Sequence, residues 1–278
     1  MNCNLMKIRT KKQTDNPYKQ NYLSGPKILT IVLLIALGVS LNQIPWTEDL
    51  VHPGGVESLQ LFVGSLLDLD YSPSFLYIAF KASLQTLIFA LCGLSLALLI
   101  GIPLGIISSG NIGLPKKTGK IIVFLTRIFL AFLRSIHELV WAWFFIAAIG
   151  LSPIAAIWAL GINYAGILGR IFSDLLSDVP EEPLVSLRST GASEWQVFLY
   201  GRFPMALSDM TSYIFYRFEC AIRSSAILSF VGISGLGMQI ELALDDVNFG
   251  QVWILLIFLC ILILLVDQWS NLIRKNLS

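Results

Sequence analysis

The residues with chemistry to offer stand inside runs that are otherwise apolar. Arg134 and Glu138 lie in the run 121–149, and Arg217, Glu219, Arg223 and Ser224 in the run 206–233. A charge inside a membrane-length apolar run costs about 2.5–3.5 kcal/mol to insert, so such residues face a protein interior or a water path. Arginine is suited to oxyanions, because its planar fork donates two hydrogen bonds at once. Arg223 follows Glu219 by one helical turn, and Glu138 follows Arg134 by the same step. One reading is structural: Glu219 pairs with Arg223 or with Arg134, and Arg134 with Glu138 as an ordinary i,i+4 pair. The other is a polar lining with an excess of positive charge for a passing oxyanion. The two are compatible. Arg223 is the stronger candidate for the anion, because Ser224 and Ser225 beside it add hydroxyl donors.

Other chemistries find no footing. His137-Glu138 opens like a zinc-binding H-E-x-x-H, but Trp141 occupies the second histidine position, so a metal would lack a ligand. No G-x-x-x-x-G-K-[ST] loop is present, so any ATP must be hydrolysed on another subunit, and no G-x-S-x-G elbow occurs. Cys3, Cys92, Cys220 and Cys260 lie in the tail or in apolar runs without pairing spacing, as small buried hydrophobes would. A net charge of +1 gives no basic footprint for nucleic acid. The expectation is a chain with no metal, no cofactor of its own and no catalysis.

The elements that must position these residues are membrane helices. About a quarter of a soluble domain is charged, whereas here 13% is charged and 55% hydrophobic. Residues 1–27 form a basic tail carrying Lys7, Arg9, Lys11, Lys12, Lys19 and Lys27. The run 28–44 reads as a first transmembrane anchor. It is not a cleaved signal, since Leu41-Asn42-Gln43 offers no small-x-small site. Further spans are expected at 75–107, with a kink invited by Gly101-Ile102-Pro103, and at 121–149, 154–168, 206–233 and 249–269. The connections at 45–74, 150–153 and 234–248 contain no lysine or arginine. The tail, the 108–120 loop with Lys116, Lys117 and Lys120, the 170–205 loop and Arg274-Lys275 do. Basic loops stay in the cytoplasm, so six spans alternate with both termini cytoplasmic. The fold class is all-α: a polytopic membrane protein with about six transmembrane helices, its core at 75–278. Gly232, Gly235 and Gly237 suit a turn or a close helix approach at the outer face.

Between the fourth and fifth spans lies 184–210, LVSLRSTGASEWQVFLYGRFPMALSDM, polar enough to leave the membrane. Gly191 suits the left-handed end of a short helix, Ser193 the cap of the next, and Pro204 a break before the following span. The result is a cytoplasmic helix–turn–helix at 184–204, shaped to dock a soluble partner.

Gly191 followed thirteen positions later by Pro204 resembles the EAA loop of ATP-binding-cassette importer permeases of the binding-protein-dependent (MetI-like) type. Phe203 stands for the leucine before that proline, while Val185, Ser186 and Leu187 replace the E-A-A start. The fuller context resembles phosphonate-importer permeases. Leu187-Arg188-Ser189-Thr190-Gly191-Ala192-Ser193 is similar to their L-R-A-T-G-A-S, and Tyr216-Arg217-Phe218-Glu219 with Arg223-Ser224 to their Y-R-F-E…R-S. The resemblance implies a homodimer in the cell inner membrane, two cytoplasmic ATP-binding subunits that carry the ATP, and an external substrate-binding protein. It implies that Arg188, Gly191, Ala192, Ser193, Gly201 and Pro204 serve ATPase coupling. Arg134, Glu138, Arg217, Glu219, Arg223 and Ser224 would line the translocation pathway. Transport of a phosphonate-like oxyanion by alternating access is the expected function. A permease for phosphite, phosphate or methionine, and a stand-alone channel or secondary transporter, are the alternatives. The last would have no need of the docking loop.

Overall fold

The computed structural model describes residues 25–43, 53–113 and 115–277. Most of the basic tail, Cys3, Glu48 and Asp49 lie outside them. The chain divides into two compact units, residues 1–60 and 61–278. In the first, α1 (Gly25–Asn42) is apolar nearly throughout, and its side chains from Ile28 onward are exposed. Helix α2 (Pro53–Gly64) begins where the sequence suggests only a loop.

The second unit holds α3 (Pro73–Ser109), α4 (Lys116–Ser135), α5 (Glu138–Ile149), α6 (Pro153–Ser177), α7 (Glu181–Ser189), α8 (Glu194–Val197), α9 (Phe203–Leu228), α10 (Leu236–Asp245) and α11 (Phe249–Leu277). No strand occurs among the described residues. Its centre is the seam between α3 and α6, the most extensive helix contact in the chain. Small residues recur every fourth position on both sides: Gly93, Ala97, Gly101 and Gly105 face Gly161, Ala165, Gly169 and Ser173, all buried. The seam is tight enough that a Cβ on Gly101 would lie 3.2 Å from the Ala165 carbonyl oxygen. Where lipid supplies no hydrophobic drive between helices, such close van der Waals packing holds them together. Ser225 Oγ donates to the Thr86 carbonyl at 2.9 Å and Leu236 N–H to Thr86 Oγ1 at 3.0 Å, fastening α9 and α10 to α3.

Three helices are individually long and apolar enough to cross a membrane: Pro73–Ser109, Pro153–Ser177 and Phe249–Lys275. The helical run Glu194–Val231, with α10 bent 43° from it, makes a fourth if the pair is one span. The third expected span is not one helix. It breaks between Ser135 and Glu138 into α4 and the 12-residue α5. The break is stable because side chains take over the backbone pairing. Trp141 Nε1 donates to the Leu133 carbonyl at 3.3 Å, Asn163 Nδ2 to the Ile136 carbonyl at 2.8 Å, and His137 Nδ1 accepts from Leu139 N–H at 3.3 Å. The expected outer loop at 234–248 is mostly helix α10. Before it, Gly232 (φ +86°) makes the left-handed turn, and a Cβ on Gly237 would collide with the Ala226 carbonyl oxygen. Gly232 thus supplies the turn and Gly237 the close backbone approach.

Candidate functional site

Two groups of expected site residues lie far apart on the chain's helices. The first is the helical hairpin of α7 and α8. Helix α7 starts with Glu181 and Glu182 in its first turn, where carboxylates favour a helix N-terminus. Just past its end stands Gly191, whose φ of +86° is the left-handed conformation that glycine adopts at least cost. Ser193 then opens α8 with a capping box. Its N–H donates to Gln196 Oε1 at 2.8 Å, and its Oγ accepts from Gln196 N–H at 3.4 Å. Ala192 packs against the main apolar core. Gly201 is buried where the Leu184 and Leu187 side chains fill the space that a Cβ would need.

Pro204 does not break the chain as the sequence suggests. Helix α8 continues through a π-helical stretch, Phe198–Arg202, directly into α9. Phe203 N–H bonds the Phe198 carbonyl five residues back. This wider turn accommodates a proline ring that would otherwise press on the carbonyl four residues before it.

Ion pairs lock the hairpin. Arg188 donates to Glu181 Oε2 at 3.0 Å and to both carboxylate oxygens of Glu194, at 3.0 and 3.2 Å. Glu181 Oε1 accepts from Arg202, whose other terminal nitrogen donates to the Leu176 carbonyl at 2.8 Å at the end of α6. Arg188 and Arg202 together hold the Glu181 carboxyl below the usual carboxylate range, Arg188 contributing more. Sequence reasoning missed both Glu181 and Arg202 as site residues. The signal available was an arginine between two turn formers, Gly201-Arg202-Phe203-Pro204. Around this clasp Val185, Trp195 and Tyr200 are exposed, and a groove of about 750 Å³ runs between Leu187, Thr190, Tyr200 and Pro204.

The second group gathers at the break between α4 and α5. Ser224 Oγ donates to Glu138 Oε1 at 2.7 Å, and Asn163 Nδ2 reaches Glu138 Oε2 at 3.3 Å. Tyr164 O–H donates to Ser224 Oγ at 3.0 Å. The Tyr164 ring also forms one wall around Arg217. The guanidinium carbon lies 5.3, 5.5 and 5.9 Å from the ring centres of Tyr164, Tyr213 and Tyr216, within cation–π range. Arg217 Nη2 donates to Tyr213 Oη at 2.8 Å, while its buried Nε has no hydrogen-bond partner among the described residues. The structure thus brings Glu138, Ser224 and Arg217 together, and adds Asn163, Tyr164, Tyr213 and Tyr216. The tyrosines carry a readable signal, for Tyr213 stands one turn before Arg217.

The expected ion pairs within single spans do not form. Glu219 binds Arg274 of α11 at 3.1 Å, not Arg223. Arg223 is exposed and touches Cys220 Sγ at 3.6 Å. The break separates Arg134 from Glu138, so their i,i+4 geometry is lost, and Arg134 is exposed.

A bundle of apolar helices with a polar cluster at the break between α4 and α5, and an ion-paired hairpin between α6 and α9, is an arrangement that suits a membrane permease. The chain belongs to the family of binding-protein-dependent transport system inner membrane components, whose model matches residues 101–278. It is a permease of the ATP-binding-cassette importer type rather than an enzyme. It is 25% identical over 222 residues to the phosphite transport system permease protein PtxC of Stutzerimonas stutzeri, covering 80% of this chain and 78% of that protein. The putative cryptic phosphonate transport system permease protein PhnE2 of Escherichia coli is 30% identical over 118 residues, covering 42% of this chain and 97% of that protein. Among solved structures, the inward-facing MetNI methionine transporter superposes with a TM-score of 0.65 at 20% identity, over 74% of this chain and 99% of that one. That likeness establishes the fold.

Proposed function

We propose that this permease imports a phosphorus oxyanion of the phosphonate, phosphite or phosphate type. Arg217 carries the proposal. It is a half-buried cation ringed by tyrosines, without a carboxylate partner among the described residues and with an unused Nε. The relatives named for phosphite and phosphonate transport agree with an anionic cargo. A broken span beside the site supports a pathway, since interrupted helices mark substrate sites in many transporters. Arg223 and Arg134 add positive charge, and Ser224 and Glu138 set the neutral and acidic edges of the lining.

In this proposal two copies of the chain enclose the path. Two ATP-binding subunits dock on the α7–α8 hairpin, and a substrate-binding protein delivers cargo from outside. Both termini face the cytoplasm. ATP binding on the partners moves the hairpin. Arg202 passes that motion to the ends of α6 and α9, and the path opens alternately to either side. The test is uptake into vesicles reconstituted with the permease, its ATPase and its binding protein, using a panel of methylphosphonate, phosphite, phosphate and methionine. ATP-dependent uptake of at least one phosphorus oxyanion, lowered in Arg217→Gln, is expected. Uptake of methionine alone, or uptake without ATP, would overturn the proposal.

A further inference from the structure

Helix α4 carries its cations in a line. Lys120, Arg127 and Arg134 follow one another at seven-residue intervals, about 10 Å per step along a helix. Heptad spacing keeps them on one face with a drift of about 20° per step. All three are exposed in the protomer, and among the described residues none joins a salt bridge. The adjoining face, with Leu130 and Leu133, is buried against α6 at Gly166 and Gly169. Arg134 stands in the last turn of α4, just before the break and opposite the middle of α6, where Gly166 lies close to its backbone nitrogen. A charge inside a membrane-length apolar run faces protein or a water-filled path rather than hydrocarbon.

At the other end of the line a cavity of about 590 Å³ opens between the last turn of α3 and the first turns of α4. Lys120, Arg127, Gly119 and Phe124 line it. Arg127 Nε donates to the Ser108 carbonyl at 3.1 Å, which fixes the guanidinium at the cavity wall and leaves its terminal nitrogens available. Lys120 adds an exposed ammonium on the same wall.

We propose that the cavity at Lys120 and Arg127 is a binding site for a tetrahedral phosphorus oxyanion, the last station on an inner leg that runs down α4 from Arg134. The inference rests on the phosphorus-oxyanion proposal above and places a second anion site on the cytoplasmic side of the tyrosine-ringed arginine. A phospholipid phosphate has the same chemistry, but a headgroup site needs cations only at the interface. Here the line continues to the broken span. Spaced, partly satisfied cations hold an anion weakly at several places, which is what passage requires.

The test uses the purified full-length chain in nanodiscs of phosphatidylcholine, with ³¹P line broadening of methylphosphonate and of inorganic phosphate as the readout. Parallel uptake measurements use the reconstituted complex. In an Arg217→Gln background, which removes the tyrosine-ringed site, Lys120→Gln and Arg127→Gln should each weaken binding about tenfold, the size of one lost charge-assisted hydrogen bond; with Arg217 present, each should lower uptake. Arg127→Lys should retain most of both, which separates loss of charge from loss of fold. Lys117→Gln, off the cavity wall, should match the unsubstituted chain. Unchanged binding and uptake in the two Gln variants would overturn this inference and leave the oxyanion permease standing. Phosphatidylglycerol that displaces the anion, and co-purifies only when both cations are present, would make this a lipid site and overturn it. An unsubstituted complex that takes up no phosphorus oxyanion would overturn both proposals.

Discussion

Removing Glu181 should destabilise the protein more than removing Arg202, although the two are partners. The Arg202 side chain is 4% exposed and that of Glu181 57%. Glu181→Ala leaves a buried guanidinium whose one remaining partner among the described residues is the Leu176 carbonyl, and an uncompensated buried charge costs about 3–5 kcal/mol. Arg202→Met returns a mostly exposed carboxylate to water at little cost. What it loses is the hydrogen bond to Leu176, whose unpaired carbonyl costs about 1–3 kcal/mol. Arg188 keeps Glu194 in either variant. The double variant should resemble Arg202→Met, because the stranded charge is gone. Tryptophan fluorescence of detergent-purified protein during heating would rank the variants. For a chain of this size each kcal/mol moves the midpoint by about 2–4 °C. If Glu181→Ala melts with the unsubstituted protein, or the double variant melts as low as Glu181→Ala, Arg202 is not a buried charge that depends on Glu181.

Four further outcomes are expected. The Glu181 carboxyl is held below its ordinary range, so its contribution is present above the usual carboxylate pKa and lost as pH falls through the lowered value. The melting gap between unsubstituted protein and Glu181→Ala should hold from pH 7 down to about pH 4 and close below it. Gly166→Ala would bring a methyl to 2.8 Å from the Arg134 nitrogen and 3.0 Å from the Leu130 oxygen, backbone atoms that cannot step aside. A loss of about 1–3 kcal/mol should appear as reduced monodisperse yield, whereas Gly64→Ala, with nothing within 4 Å, should behave normally. Gly191→Val meets no neighbour, so its cost is the left-handed backbone alone, about 1–2 kcal/mol. Assembly should survive while stimulation of a partner ATPase falls, as ATP turnover would record. Glu219→Gln should lower complex yield more than Arg223→Ala, because Glu219 is bonded to Arg274 and Arg223 is exposed; equal yields would count against the α9–α11 tie.

Local rules were legible in the sequence wherever they involve neighbours in the chain. Ser193 with Gln196, and the left-handed Gly191, lie within a few residues of what they organise, so the hairpin could be drawn from the string. The break at Ile136-His137 could not. Arg134, Ser135, His137 and Glu138 do interrupt the apolar run, but what holds the chain open there is partly remote: the freed carbonyls are taken by Trp141 and by Asn163, the latter 27 residues away. Glu219 illustrates the same limit. Its nearest arginines in sequence are on its own helix, yet α11 returns alongside α9 and supplies Arg274 instead, 55 residues on. Arg217 was readable as a costly charge in an apolar run. The three rings around it needed α6 beside α9, since Tyr164 belongs to a helix that the sequence does not pair with it.

The π-helical stretch between α8 and α9 has a consequence for insertions and deletions. A π turn is an α-helix with one residue inserted, and a residue in an α-helix advances the side-chain direction by about 100°. The wide turn at Phe198–Arg202 absorbs that extra residue, so Ser193 and Trp195 on the hairpin keep the rotational phase to Arg217 and Ser224 on α9 that a regular helix one residue shorter would give. Deleting one residue there should therefore leave Arg217 beside Tyr164, and its cost falls on Pro204, whose ring would then press on the carbonyl four residues before it. Inserting a further residue is the harmful change: one wide turn is already used, so α9 would turn by about 100° relative to the hairpin and carry Arg217 away from the ring.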